Sequence, residues 1–231
     1  MPASTDITEW AAEESAVWEI VLDEAWRSYL ARGWGVGAAA TVGGQILSVA
    51  GNATDPACGS SFFQHAEIRA LSGLPSSVHT VVTVYTSLEP CVLCLGALTF
   101  CRVPEVRFAA RDLSFSAAHR ALSQAPILGT RVPAMQGPRN GRIGAFCRLL
   151  PLVAEIEHGL GSQRFGLEER LCPRLLDLAV TCIEQHLLSQ YRLASGERAW
   201  PDAIKLLAVE LDAAAQDLEA AERTLRRLQI L

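Results

Sequence analysis

His65-Ala66-Glu67 and Pro90-Cys91-Val92-Leu93-Cys94 are the two stretches on which the reading of this chain turns. Each follows residues of strand character and opens a run of helical character. Cys91 and Cys94 stand three apart. A helix begun by Pro90, whose fixed φ suits the first helical position, therefore projects both sulfurs from one side of its first turn. Unpaired backbone N–H groups and the positive end of the helix dipole at that point favour thiolates. With the His65 imidazole they make three ligands of the kind that hold a catalytic zinc and leave a fourth position for water. Glu67 follows His65 too closely to be a tidy ligand of the same ion, but it can set a carboxylate beside that water.

Either half alone says little. A lone Cys-x-x-Cys could be a redox pair or half of a structural zinc site, and a His-x-Glu arises often by chance. Together, in this order, they form the H-x-E and P-C-x-x-C pattern of zinc deaminases, in which the Glu shuttles protons and is not a ligand. From Asn52 through Asp112 the chain resembles the cytidine and nucleoside deaminase superfamily. Thr86-Ser87-Leu88-Glu89-Pro90-Cys91 with His65-Ala66-Glu67-Ile68 is most similar to its branch of tRNA adenosine deaminases and guanine deaminases.

The resemblance implies an α/β fold of the cytidine-deaminase kind, three layers about a central mixed five-stranded sheet, with Zn2+ on His65, Cys91 and Cys94. It implies hydrolytic deamination of a nucleobase, free or within a nucleoside or nucleotide, with release of ammonia. Glu67 is then the catalytic residue, taking a proton from water, passing it to a ring nitrogen and helping to protonate the departing amine. Asn52 is expected to contact the substrate through its amide, although Asn in Gly51-Asn52-Ala53-Thr54-Asp55-Pro56 also suits a turn. The Ala66 backbone N–H is expected to orient the base. The motif is specific for zinc-dependent deamination and poorly specific for substrate.

The chain also departs from its relatives. Ser60-Ser61-Phe62-Phe63-Gln64 intervenes before His65, and Phe62 or Phe63 could stack on a base or pack under the loop. Ala109-Ala110-Arg111-Asp112 stands where the family has Gly-Ala-x-Asp. Glu89 could hold its loop by hydrogen bonds to backbone or could be a solvated turn carboxylate. His119 and Arg120 could approach a sugar or phosphate, or lie on a solvated face.

Outward from the motifs, Asp6-Ile7-Thr8-Glu9 has the form of a capping box ahead of an amphipathic helix that ends near Gly33. Its Trp10, Trp18 and Trp26 read as core. Val36–Val42 and Gln45–Ala50 flank Gly43-Gly44 as a hairpin with a tight turn. Thr80–Thr86 and Val106–Ala110 read as strands. Gln124–Gly144 is rich in Pro and Gly and carries Arg131, Arg139 and Arg142, either a lid suited to phosphate or a solvated connection. Leu149–Glu157 reads as the last strand, although Arg142–Leu150 could be helical. Beyond Gly166 two helical runs follow, Cys172–Leu193 and Pro201 to the end. In the second, Ile204, Leu207, Leu211, Ala214, Leu218, Ala221, Leu225 and Leu228 form a heptad seam of a coiled coil or helical hairpin. Residues 1–158 are thus expected to be the deaminase catalytic domain and 159–231 a C-terminal helical extension.

Of 231 residues half are hydrophobic, ample for a core, and the net charge of −5 argues against a surface devoted to nucleic acid while leaving room for a local basic patch. A small-molecule substrate is therefore favoured over tRNA, and a tRNA adenosine deaminase is the alternative enzyme. The non-enzyme alternative, a zinc-stabilised interaction protein, has no use for Glu67. No secretory signal opens the sequence, and its longest apolar runs fall short of the ~20 residues of a membrane span. Seven cysteines suit a reducing compartment. Cys58, Cys101, Cys147, Cys172 and Cys182 read as small buried hydrophobes, and the expected protein is cytoplasmic and homodimeric.

Overall fold

The computed structural model describes residues 14–53, 63–139, 141–159, 165–192, 199–228 and 230–231. Five strands, β1 (Gly37–Val42), β2 (Gln45–Gly51), β3 (Thr83–Leu88), β4 (Glu105–Ala110) and β5 (Ala134–Gln136), form one sheet in the order β2-β1-β3-β4-β5. β1 is antiparallel to β2 and β3, whereas β3, β4 and β5 run parallel. This is the mixed five-stranded α/β arrangement expected. The β1–β2 turn is closed by Gly43 and Gly44 with φ of 56° and 82°, the left-handed pair that a two-residue hairpin demands. Thr80 and Val81 belong not to β3 but to a 3-10 turn (Ser76–Val81) before it.

On one face of the sheet lies α1 (Ser15–Leu30), which buries Val17, Trp18, Val21, Leu22, Ala25, Trp26 and Tyr29. It can approach so closely because Gly37 has no side chain: a Cβ there would stand 2.2 Å from the Val21 carbonyl oxygen. Trp18 meets Tyr85 of β3 edge-on at 5.3 Å, so Trp18 and Trp26 are core, while Trp10 and the Asp6–Glu9 capping box lie outside the described residues. The opposite face is covered by α2 (Ala66–Ser72) and α3 (Val92–Phe100). Ala38 packs with Ala66 and Ala70, and Ala40, Val84 and Val106 with Leu71 and Leu98. α4 (Ala118–Ser123) follows β4.

The stretch read as the last strand is instead part of α5 (Gly141–Glu157), and the fifth strand is the short β5. The reason is burial on all sides. α5 rests on the sheet beside α1 and is covered from outside by later helices, so Leu149-Leu150-Pro151-Leu152-Val153 shows no polar face. A helix buried all round and a buried strand look alike in sequence, and Pro151 counts against a helix interior.

Those later helices are α6 (Gly166–Leu171), α7 (Pro173–Glu184), α8 (Trp200–Leu206) and α9 (Ala208–Arg227). The expected Cys172–Leu193 helix stops at Glu184, ahead of His186 in a left-handed conformation (φ 57°). The expected final helix breaks at Leu207 into two. Its seam is nonetheless apolar contact surface: Ile204, Leu207, Leu211, Ala214, Ala221 and Leu225 are buried in the same core as α5 and α7, while Leu228 is exposed. The helices of 159–231 thus share one continuous hydrophobic core with the sheet. Among the described residues no helix is long and apolar enough to cross a membrane.

Candidate metal centre

β2 and β3 deliver the two motifs to one end of the sheet. Arg69 of α2 donates to the Gly51 carbonyl at the end of β2, and the Ala53 N–H donates to the Gln64 carbonyl at 3.0 Å, which sets His65 beside β2. His65 is the residue just ahead of α2, extended at φ −69° and ψ 145°. Cys91 holds the same position ahead of α3, at φ −65° and ψ 173°. The helix therefore begins at Val92, not at Pro90, with Cys91 capping it and Cys94 in its first turn. Neither capping side chain is spent on its own helix.

Cys91 Sγ and Cys94 Sγ lie 3.5 and 3.3 Å from His65 Nδ1, and the ligand atoms of all three fall within 4.8 Å of one another. One imidazole and two sulfurs so gathered fit Zn2+ with a position to spare. The Glu67 carboxylate is buried alongside, its Oε2 3.3 Å from Cys94 Sγ. Among the described residues no other such group of His, Cys, Asp or Glu side chains occurs.

The electrostatics favour a thiolate at Cys91. The hydrogen bond from the Cys94 thiol, helped by His65 and the Cys94 backbone N–H, overcomes burial and brings the Cys91 pKa down to about 4. Cys94, donating that bond, is pushed well above the usual thiol range. His65 is raised chiefly by its bond to Cys91. Burial, then the Cys91 thiolate, raises Glu67.

Asn52 is buried at the end of β2, its Oδ1 accepting from the Trp34 N–H at 3.3 Å and its carbonyl from Ser28 Oγ at 2.8 Å. Ala66 is fully buried in the first turn of α2. Phe63 is 61% exposed, whereas Phe62 and Cys58 lie outside the described residues. Glu89 is buried, accepting from the Asp112 N–H at 3.3 Å and from Arg111 at 2.6 Å, which settles it as a loop-holding group. His119 is engaged with the Pro133 carbonyl at 3.1 Å. Two arginines of the long connection are held by carboxylates, Arg139 by Glu14 at 2.7 Å and Arg142 by Asp212 at 2.8 Å, which does not favour a phosphate lid.

What the sequence did not reveal is the reach of α9 into this end of the sheet, where Glu222 takes both Nε and Nη2 of Arg111 at 2.8 Å. Arg111 marks a changed loop, but nothing local singles out a glutamate on the polar side of a helix so distant in sequence.

Residues 11–110 match the family model described as the cytidine and deoxycytidylate deaminase zinc-binding region. Among solved structures, the chain is similar to one from work on tRNA deaminases that edit A to I at the wobble position, with 24% identity over 54% of this chain and 98% of that one and a TM-score of 0.47. A crystal structure of a mutant protein in complex with 8-azaguanine is 25% identical, covering 61% of this chain and 86% of that one at a TM-score of 0.45. RibD of Acinetobacter baumannii is 18% identical, covering 62% of this chain and 38% of that one at a TM-score of 0.42. The stretch 11–110, which contains His65, Glu67, Cys91 and Cys94, thus matches the zinc-binding region of the cytidine and deoxycytidylate deaminase family.

Proposed function

We propose that this chain is a zinc-dependent hydrolytic deaminase of a small aminated nucleobase, free or as a nucleoside or nucleotide, releasing ammonia. The observation that carries the reading is the Glu67 carboxylate, 3% exposed and 3.3 Å from Cys94 Sγ, in a cluster that needs no fourth protein ligand. His65, Cys91 and Cys94 hold the metal, which when bound supplies water acidified to a pKa of about 7. Glu67 would take one proton from the attacking water and give it to a ring nitrogen of the base, then take the second from the hydroxyl added to the ring carbon and give it to the amine, which departs as ammonia as the carbonyl forms. Burial that raises the affinity of Glu67 for a proton suits a group that must both accept and give one. Asn52, its Oδ1 held by Trp34, has Nδ2 to offer to the base. The Ala66 N–H, in the first turn of α2, orients the ring, and the exposed Phe63 offers it a stacking surface; Phe62 is the second aromatic candidate by sequence alone.

A second copy of this chain is the partner that best suits α3. Val92, Leu93, Gly96 and Phe100 form an exposed apolar stripe along it, with Phe100 83% exposed and open space above Gly96. Such a stripe beside the site is covered by the same stripe about a two-fold axis. Phe100→Glu should then halve the sedimenting mass while leaving the circular dichroism spectrum unchanged.

The test of the activity is ammonia release from a panel of free bases, nucleosides and nucleotides, with Glu67→Gln beside the wild type. The variant should keep its metal and lose about 10²- to 10⁴-fold in rate. Inosine formation in an anticodon stem-loop, with no ammonia from any small substrate, would instead make it a tRNA adenosine deaminase. Metal uptake with no deamination of either class would leave the zinc as a structural support for an interaction protein.

A further inference from the structure

Arg111 begins the loop after β4 and sits at the junction of three elements. Its Nε and Nη2 donate to Glu222 of α9 at 2.8 Å each, a fork-to-fork pair that fixes the plane of the guanidinium. Its Nη1 donates to Glu89 at 2.6 Å, and its Cζ lies 5.0 Å from the centre of the Phe108 ring. All three charged side chains are nearly excluded from solvent, at 10% exposure for Arg111, 4% for Glu89 and 12% for Glu222.

Glu89 is also tied to backbone on its far side. Its other carboxylate oxygen accepts from the Asp112 N–H at 3.3 Å, and its own N–H donates to the Ala110 carbonyl at 2.8 Å. Only Pro90 separates it from Cys91. Pro90 has a fixed φ, so the position of Glu89 passes on to Cys91 through a stiff joint. The line from the C-terminal helix to the metal cluster is therefore continuous: Glu222, Arg111, Glu89, Cys91.

We propose that Arg111 is a positioning residue of the metal centre, and that Glu222 sets it, so that α9 is part of the construction that holds Cys91. The inference rests on ligation of zinc by Cys91, as read above. The buried Glu89 and the partly buried Glu222, which also accepts from Arg226 at 2.7 Å, share one guanidinium, and its orientation toward Glu89 is defined by the bidentate grip of Glu222 on the other edge. A lysine could carry the charge but could not bridge both partners in one plane. Partners that orient metal ligands from outside the ligand set are worth about 10- to 100-fold in metal affinity.

The experiment is metal release from the zinc-loaded full chain into excess chelator, together with the visible absorption of the cobalt-substituted protein. Glu222→Ala should release zinc about tenfold faster or more, with an altered cobalt band. Arg111→Lys, which keeps the charge and loses the fork, should behave likewise, and Glu222→Gln should fall between. The control is Asp217→Ala on the same helix, which removes the 3.0 Å contact of Asp217 with Arg174 of α7 and touches nothing near the metal cluster. It should release zinc as the wild type does. Glu222→Ala release within about twofold of wild type, less than the range expected of such a partner, overturns the proposal; so does equal acceleration by Asp217→Ala, since loosening of α9 alone would then suffice. A wild type that takes up no metal sinks the zinc reading itself and this inference with it, whereas normal uptake with an unaffected Glu222→Ala sinks the inference alone.

Discussion

His65 and Cys91 hold equivalent places on two helices: each is the extended residue just before the first turn, and Nδ1 of one lies 3.5 Å from Sγ of the other. Two helix starts thus converge on one point, and their unpaired N–H groups and dipoles make it a place that favours anionic sulfur. Metal analysis of the purified chain should accordingly find about one zinc per molecule. Cys91→Ala and Cys94→Ala should each abolish it, since two ligands do not hold the ion against chelation by buffer and other proteins. Stable protein that keeps its zinc after either change would remove the cluster from consideration.

Chelation of the metal should expose a sharp difference among the thiols. Cys91, with its pKa lowered to about 4, is a thiolate across pH 5–8, so its alkylation rate by iodoacetamide should be nearly flat there. The half-buried Cys101, raised by burial, should react more slowly and about tenfold faster per unit of rising pH. Cys172 and Cys182, pushed up to about 12 by burial, should not react in the folded chain, nor should the fully buried Cys147. Peptide mass mapping with zinc present and removed reads all of these at once. A Cys91 rate that climbs with pH through this range would contradict the lowered pKa.

The site was legible in sequence because its chemistry is local. His65 with Glu67, and Cys91 with Cys94, each lie within one turn, and the Gly43-Gly44 turn, β4 and the start of α2 follow equally local rules. The largest misreading, of Leu149–Glu157, and the missed role of Glu222 share one physical cause, which is long-range packing. Leu149–Glu157 lost its helical period because α7 and α9 cover the side of α5 that would otherwise be polar. The heptad seam from Ile204 to Leu225 is real but faces α5 and α7 of its own chain. Glu222 could not be found at all, since its meaning depends on Arg111, and no local pattern joins them.

The seam makes a prediction about the C-terminal helices. Ile204, Leu207, Leu211 and Leu225 are each buried, and at ~1.5–3 kcal/mol apiece they contribute roughly 6–12 kcal/mol, comparable with the whole stability of a typical domain. A chain ending at residue 198 should therefore be insoluble or unfolded. Leu211→Ala should lose about 2–5 kcal/mol in urea denaturation without changing the sedimenting mass. Soluble, folded protein from residues 1–158 alone would show that the extension is an appendage after all.

The last prediction concerns Arg148, which is fully buried on α5 between helices of the two parts of the chain. Its Nη2 donates to Glu168 of α6 and lies 3.9 Å from Glu155, and its charge lowers the pKa of Asp112 against the larger effect of burial, which raises it. Arg148→Met removes the guanidinium that faces Glu168, Glu155 and Asp112, and breaking such a pair from one side costs about 3–5 kcal/mol. The sign of the pH dependence follows from Asp112. Its folded pKa is already above the ordinary 3.8 and rises further without Arg148, so the folded state favours the protonated acid. That favour is complete below the unfolded pKa and is lost as pH rises through the folded one. The deficit of Arg148→Met relative to wild type should therefore be larger at pH 8 than at pH 5, as urea midpoints would report. Adding Glu168→Leu should recover part of it at both pH values, because a fully apolar contact replaces an unpaired buried charge. A deficit that is the same at both pH values, with no recovery in the double variant, would mean that Arg148 acts through packing volume alone.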